Sequence, residues 1–279
     1  MVTKNTPLKK ILTYLVIGVA LIAFIFPIYW MVIASFKENS VLMRVPPQLY
    51  PTFRTLDNYI SIITNTKYLN YIKNSLVVAT LTVIVDLTLA IFAGYSLSRY
   101  RYPGRKTVMT LTLSAQVFPT VVIIISLYSL FSKLKLMNSY AGLTLADVAM
   151  SLPLSVWMMK SFCDSVPRSL DEAAKVDGCS RFMTMIRIAV PLMKPGMLAV
   201  GIYAFLQSWD DYMIALVIMN KTSMKTLPVG IAETFLGEFG FDYAGMMTVS
   251  VVASLPVLLL FLFFNKYMVA GLTGGAVKE

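Results

Sequence analysis

The sequence predicts an all-α, polytopic membrane protein with six transmembrane helices and both termini on the inner side. Three observations predict it. Hydrophobic residues fill 57% of the 279 positions and charged residues 14%, with a mean hydropathy of +0.72. A soluble domain of that size could not clothe its exterior with so few polar groups. The apolar residues come in six long blocks, and the basic residues fall largely between or at the edges of those blocks. A net charge of +10 would point to nucleic acid in a soluble protein. Here no basic stripe alternates with exposed aromatics, so the cations read as topology determinants facing anionic lipid and cytoplasm. A single transmembrane domain over residues 1–279 is expected, with membrane lipid and no nucleic acid as partner.

The first apolar run covers residues 11–35 and follows Lys4, Lys9 and Lys10. A secretory signal has an apolar region of only about 7–15 residues. This run is longer and continues through Tyr29 and Trp30, so an uncleaved first span is expected. Five more runs follow, at 74–98, 107–131, 140–162, 197–219 and 246–267. Each reaches the roughly 20 residues that cross a bilayer of about 30 Å at about 1.5 Å per residue. Pro27, Pro119, Pro153 and Pro256 fall inside these spans, where neighbouring helices can satisfy the backbone groups that proline frees.

Orientation follows from Lys and Arg. With the N-terminus inside, the inner side holds fifteen of the 24: three before the first span, four at 99–106, six at 160–194, then Lys266 and Lys278. The strongest vote is the short loop with Arg99, Arg101, Arg105 and Lys106. Lys133, Lys135 and five cations at 36–73 vote against, leaving a moderate margin for both termini inside. The outer segment 36–73, with Pro46, Pro47 and Pro51, is expected along the membrane surface. The outer segment 220–245 carries Glu233, Glu238 and Asp242.

Catalysis finds little support. The chain has no histidine, which excludes Cys/His zinc sites, His-based triads and His-metal hydrolysis. Cys163 and Cys179 flank one polar segment placed in the cytoplasm, where thiols stay reduced, and no disulfide is expected. The phosphate-binding pattern G-x4-G-K-[ST] is missing, so the chain is not an ATPase. No enzyme activity, metal or bound cofactor is expected.

The polar connection at 163–196, between the fourth and fifth spans, is the most informative segment. Ser169 followed by Glu172 fits a capping box, and Asp171 suits the positive end of a helix dipole. Gly178 suits the helix C-terminus, because glycine takes the left-handed conformation without penalty. Ser180 then caps a second helix, from Arg181 to Val190, that Pro191 ends. Ala173 and Ala174 leave little bulk, so a partner could approach the first helix closely. From spacing alone, an amphipathic surface helix without a partner is equally good.

The segment resembles the EAA loop of ABC importer permeases, whose pattern is E-A-A-x3-G-x9-I-x-L-P. Glu172, Ala173, Ala174, Gly178, Ile188 and Pro191 match it, and Val190 replaces the leucine. Other stretches are similar to the maltose-type, carbohydrate branch: Gly94 to Lys106, Asn74 to Val77, Thr226 to Gly230, and the tail Val269 to Lys278. The resemblance implies the type I ABC importer permease fold and a coupling helix that docks into a cleft on an ATPase subunit. It implies coupling roles for Glu172, Ala173, Ala174, Asp177, Gly178, Ser180, Arg181 and Pro191, with Glu172 meeting basic residues of the ATPase. The tail Gly274–Glu279 is implied, more weakly, to reach between the ATPase subunits. The implied partners are a second permease subunit, two ATPase subunits that hold ATP and Mg, an extracytoplasmic solute-binding protein and a sugar. The implied location is the bacterial inner or plasma membrane.

Asp86, Gln116, Asp147, Gln207, Asp210 and Asp211 lie within or near the spans. Such groups are costly in a bilayer and normally face a cavity, a partner or the interface. The family often carries a Trp followed by polar residues in the fifth span, which makes Gln207, Trp209, Asp210, Asp211 and Tyr212 candidates for the translocation path. Contact with a second permease subunit competes evenly for Asp210 and Asp211 and is favoured for Asp86 and Asp147. An ion-gradient-driven secondary transporter is the alternative function. It would use the intramembrane carboxylates but needs no EAA loop, and no inverted repeat is evident.

Overall fold

A computed structural model describes residues 7–50, 55–235 and 242–274, with side chains placed up to residue 264. Lys4, Glu238, Lys278 and the tail after Gly274 lie outside the described residues. All regular structure among the described residues is helical. Four helices are individually long and apolar enough to cross a membrane: α1 (Pro7–Ser35), α4 (Thr66–Arg99), α7 (Tyr140–Ser165) and α14 (Tyr243–Gly274, crossing by Tyr243–Phe264). Two bent pairs raise the number to six if each is one span.

Two of the six expected runs, the third and the fifth, are interrupted. The third run divides into α5 (Arg105–Ser114), continued by a 3₁₀ turn Ala115–Val117, and α6 (Thr120–Lys133), at 100° to one another. Phe118, the residue before Pro119, is extended with ψ 129°. A proline ring excludes the α conformation from its predecessor, which explains the break. Pro27, Pro153 and Pro256 lie inside continuous helices instead. The fifth run ends early: α11 (Lys194–Trp209) stops at Asp210, and a short α12 (Met213–Ile218) and then α13 (Leu227–Phe235) follow. Both Asp211 carboxylate oxygens accept from α12 amides, Ile214 N at 3.2 Å and Ala215 N at 2.8 Å. A carboxylate at a helix start satisfies otherwise orphaned donors, so Asp211 starts a new helix where hydropathy alone reads one span.

The chain divides into two compact units, one built on Met1–Thr66 and Ile231–Leu255 and the other on Lys67–Gly230 and Pro256–Glu279. In the first, α1 is followed by α2 (Asn39–Leu42) and α3 (Asp57–Thr64). Asn39 joins the start of α14, donating to Asp242 Oδ1 at 2.6 Å and accepting from Ala244 N at 2.9 Å. Lys37 is buried, donates to Gln48 O at 2.6 Å and lies 5.5 Å from the Trp30 ring. Burial pulls its ammonium below the usual lysine pKa.

The second unit packs α4, α7 and α11 together. Gly94 makes the close approach of α4 to α7 possible, since a β-carbon there would stand 2.9 Å from Lys160 N and from Met159 Cβ. One apolar cluster, around Ala90, Met159, Cys163, Met185 and Val200, fills that crossing. A second, around Val78, Phe131, Leu143, Ala215 and Ile218, fills the other end of the unit. Asp86 and Asp147 are buried among these helices and bonded within the chain. Ser151 donates to Asp86 Oδ1 at 2.7 Å and Ser208 to Asp147 Oδ2 at 2.5 Å. The expectation that these two carboxylates face a second subunit is therefore wrong. Hydropathy registers a carboxylate but not the serine one helix away.

Candidate functional site: an exposed helix and a cavity beside interrupted spans

The connection between the fourth and fifth spans folds as α8 (Arg168–Val176), a bend, and α9 (Arg181–Thr184). Pro167, not Ser169, occupies the N-cap of α8, and no side chain caps that end. The expected capping box is absent because proline, with its fixed φ, starts the helix two residues earlier. The other end forms as expected. Gly178 has φ +79°, Gly178 N donates to Lys175 O at 3.2 Å and Cys179 N to Ala174 O at 2.9 Å. That pair of bonds is a Schellman motif. Ser180 caps α9, its Oγ accepting from Met183 N at 3.2 Å.

The second helix does not run regularly to Val190. α9 passes into a π-helical turn, Met185–Ala189, then into α10 (Val190–Leu192). Pro191 lies within α10, and the sharp 80° bend comes after it, between Leu192 and Lys194. A proline in a helix's first turn lacks an amide that would be orphaned there anyway, so it need not end the segment.

α8 is fastened to the end of α4. Arg99 Nε forms an ion pair with Asp171 Oδ2 at 2.7 Å, and Arg99 Nη2 donates to Val166 O at 2.9 Å. Arg168 Nη2 returns a bond to Ser98 O at 3.1 Å. Around the bend, Phe182 stacks on Phe92 at 6.4 Å, and the Arg181 guanidinium sits 5.3 Å from the Tyr100 ring. These contacts aim the face of α8 that points away from the chain. Glu172 and Ala173 are exposed there, and Glu172 has no hydrogen-bond or ion-pair partner among the described residues. Ala174 is 2% exposed and packs inward, so only Ala173 of the alanine pair lies on the free surface. Val176, 88% exposed, and Leu170, 38% exposed, add an apolar component that the motif does not mention. Asp177 and Gly178 are exposed at the bend, as are Arg181 and Pro191 beyond it.

The second candidate region surrounds the two broken spans. A cavity of about 960 Å³ lies against Gln116 and Phe118 before the Pro119 break, Pro153 of α7, Tyr203 and Gln207 of α11, and the 210–212 connection. Gln207, Asp210, Asp211 and Tyr212 line it. Trp209 does not: it is buried and stacks on Phe205 at 5.5 Å. Tyr203 is a lining residue that sequence reading misses, although it precedes Gln207 by one helical turn and so shares its face. Asp211 is committed to the α12 amides, which leaves Asp210 as the exposed carboxylate of the cavity.

Comparison with known proteins agrees with this architecture. Residues 86–274 match the model of the binding-protein-dependent transport system inner membrane component. The chain is 34% identical to the trehalose/maltose transport system permease protein MalG of Thermococcus litoralis, over 97% of this chain and 98% of that protein. It is 35% identical to the arabinooligosaccharides transport system permease protein AraQ of Halalkalibacterium halodurans, over 99% of both. Its fold matches a chain of a bacterial ABC transporter involved in the import of the acidic polysaccharide alginate, with a TM-score of 0.83 at 17% identity, covering 96% of this chain and 99% of that one. With its membrane helices, and with a family match covering well over half its length, the chain belongs to the inner-membrane components of binding-protein-dependent transport systems, as a multi-pass permease subunit of an ABC importer and not an enzyme.

Proposed function

We propose that the chain forms half of the translocation path of an importer for a sugar or oligosaccharide, paired with a second permease subunit. Two ATPase subunits hold ATP and Mg on the cytoplasmic side, where α8 docks, and a solute-binding protein delivers the sugar outside. Both chain termini face the cytoplasm. The observation that carries this reading is α8 itself. Its Glu172-Ala173 surface is exposed and unpartnered while its opposite side is ion-paired to the end of a long apolar helix. Motion imposed on α8 by a partner then passes directly into α4. A saccharide substrate is supported by the trehalose/maltose and arabinooligosaccharide relatives and by the amides, tyrosines and carboxylate of the cavity. Such groups hydrogen-bond hydroxyls, and aromatic faces cover the apolar side of a sugar ring.

Affinity recovery of the tagged chain from native membranes, followed by mass spectrometry, tests the assembly. The expected result is an ATPase, a second permease and a solute-binding protein with the wild-type chain, and a reduced yield of the ATPase with Glu172→Ala. Recovery of the chain alone, intact and still transporting solute on an ion gradient, would overturn the proposal.

A further inference from the structure

The basic turn between α4 and α5 encloses a second cavity, of about 780 Å³, that the transport reading does not use. Arg101 lines it from the turn, Arg105 and Lys106 from the start of α5, and Lys160 from α7. A single carboxylate stands close by: Asp164 accepts from Lys160 Nζ at 2.5 Å. Arg105 spends one guanidinium nitrogen on Tyr100 O at 3.3 Å. Arg101 and Lys106 have no ion-pair partner among the described residues, and both are exposed. Asp164 offsets part of this charge at Lys160 and Arg105, and among the described residues the cavity keeps an excess of positive charge.

Its remaining wall is mixed, with Thr107 and Thr110 beside apolar side chains. Leu97, at the end of the long apolar helix α4, and Met109 of α5 line the same space. Tyr102, also lining, is the kind of aromatic that settles at a membrane–water boundary. Further along α5, Val108 and Leu111 are 50% and 65% exposed, an apolar surface suited to acyl chains. Cations above apolar side chains, at the end of membrane helices, match an amphiphile with an anionic head.

We propose that this cavity binds the phosphodiester headgroup of an anionic membrane phospholipid. Arg101 and Lys106 meet the phosphate, and Arg105 supplies further hydrogen-bond donors. Inorganic phosphate would meet the same cations but gain nothing from Leu97 and Met109, so the lipid is the favoured source of the phosphate. The inference holds whatever solute is carried. It needs only the membrane location of α4 and α5, and its failure would leave the sugar-importer reading untouched.

The test uses the full chain, purified in detergent and stripped of lipid, with adducts read by native mass spectrometry. Phosphatidylglycerol and phosphatidylcholine with the same acyl chains are offered together. The expected result is preferential retention of phosphatidylglycerol, falling by about tenfold or more in R101Q/K106Q, since each cation near a headgroup contributes a substantial share. K133Q/K135Q, which removes two cations outside the cavity, should keep the preference, as should R101Q alone in part if the double variant fails to fold. Tens of millimolar inorganic phosphate should not displace the lipid. Equal retention of the two lipids, an undiminished preference in folded R101Q/K106Q, or displacement by inorganic phosphate would each overturn the proposal. So would loss of the adduct on assembly with the ATPase subunits, because an acidic protein surface would then be the occupant.

Discussion

Arg99 joins two parts of the chain that the sequence keeps far apart. Its side chain is 6% exposed and that of Asp171 is 21% exposed, so the 2.7 Å pair is largely shielded from water. Removing one partner of a shielded pair strands the other, and the loss exceeds what an exposed pair contributes. R99M and D171N are each expected to destabilise the chain. A double-mutant cycle on thermal unfolding in detergent should return a coupling energy of about 1–2 kcal/mol. Gly178 makes a second prediction. At φ +79° with open space around it, an added β-carbon meets no atom and strains only the backbone. G178A should therefore cost about 1 kcal/mol in unfolding free energy, and G178N less. At this scale the sequence was half legible. Gly178 and the Ser180 cap follow from local chemistry and stand as read. The Ser169 cap fails because Pro167 starts α8 earlier, and the Arg99–Asp171 pair depends on a tertiary contact that no local pattern encodes.

Among the elements, α8 and the two broken spans carry the consequences. Val176 is 88% exposed on α8, so V176D should leave insertion and folding intact. If α8 is the docking helix, the same change puts a charge into an apolar contact. Recovery of the ATPase in affinity purification should then fall by about tenfold or more. The crossing of α4 and α7 behaves oppositely, because its tolerance is steric. G94V forces bulk toward Met159 and the Lys160 backbone and should lower stability by about 1–3 kcal/mol, read by thermal unfolding. The first, second, fourth and sixth runs each fall inside one long helix, although α4 begins at Thr66, well before the expected start of the second. The third was legible as an apolar segment but not as a bent one, and the fifth not as one that stops at Asp210, because hydropathy sums side chains and ignores where the backbone turns. The signals were present: Pro119 fixes one break, and Asp211 starts α12 at the other. Both breaks border the cavity lined by Gln207, Asp210, Asp211 and Tyr212, so irregular backbone occurs where it lines a cavity, as expected within a membrane.

For the molecule as a whole, α8 is proposed to transmit a partner's ATP-driven motion to the membrane helices. Family, fold class and the exclusion of enzyme chemistry were all legible, because a cytoplasmic-type motif and six apolar blocks leave few alternatives. The choice among saccharides was not legible, since it rests on hydrogen-bond geometry that side-chain identity alone does not fix. The most direct test reconstitutes the assembled importer in proteoliposomes and measures sugar uptake and ATP hydrolysis together, for wild type and for Glu172→Ala. Wild-type uptake is expected to require ATP and the solute-binding protein, and the substitution to abolish uptake while the folded permease stays in the membrane. Uptake by the Glu172→Ala protein at the wild-type rate, with hydrolysis still stimulated by the binding protein, would contradict that role of α8.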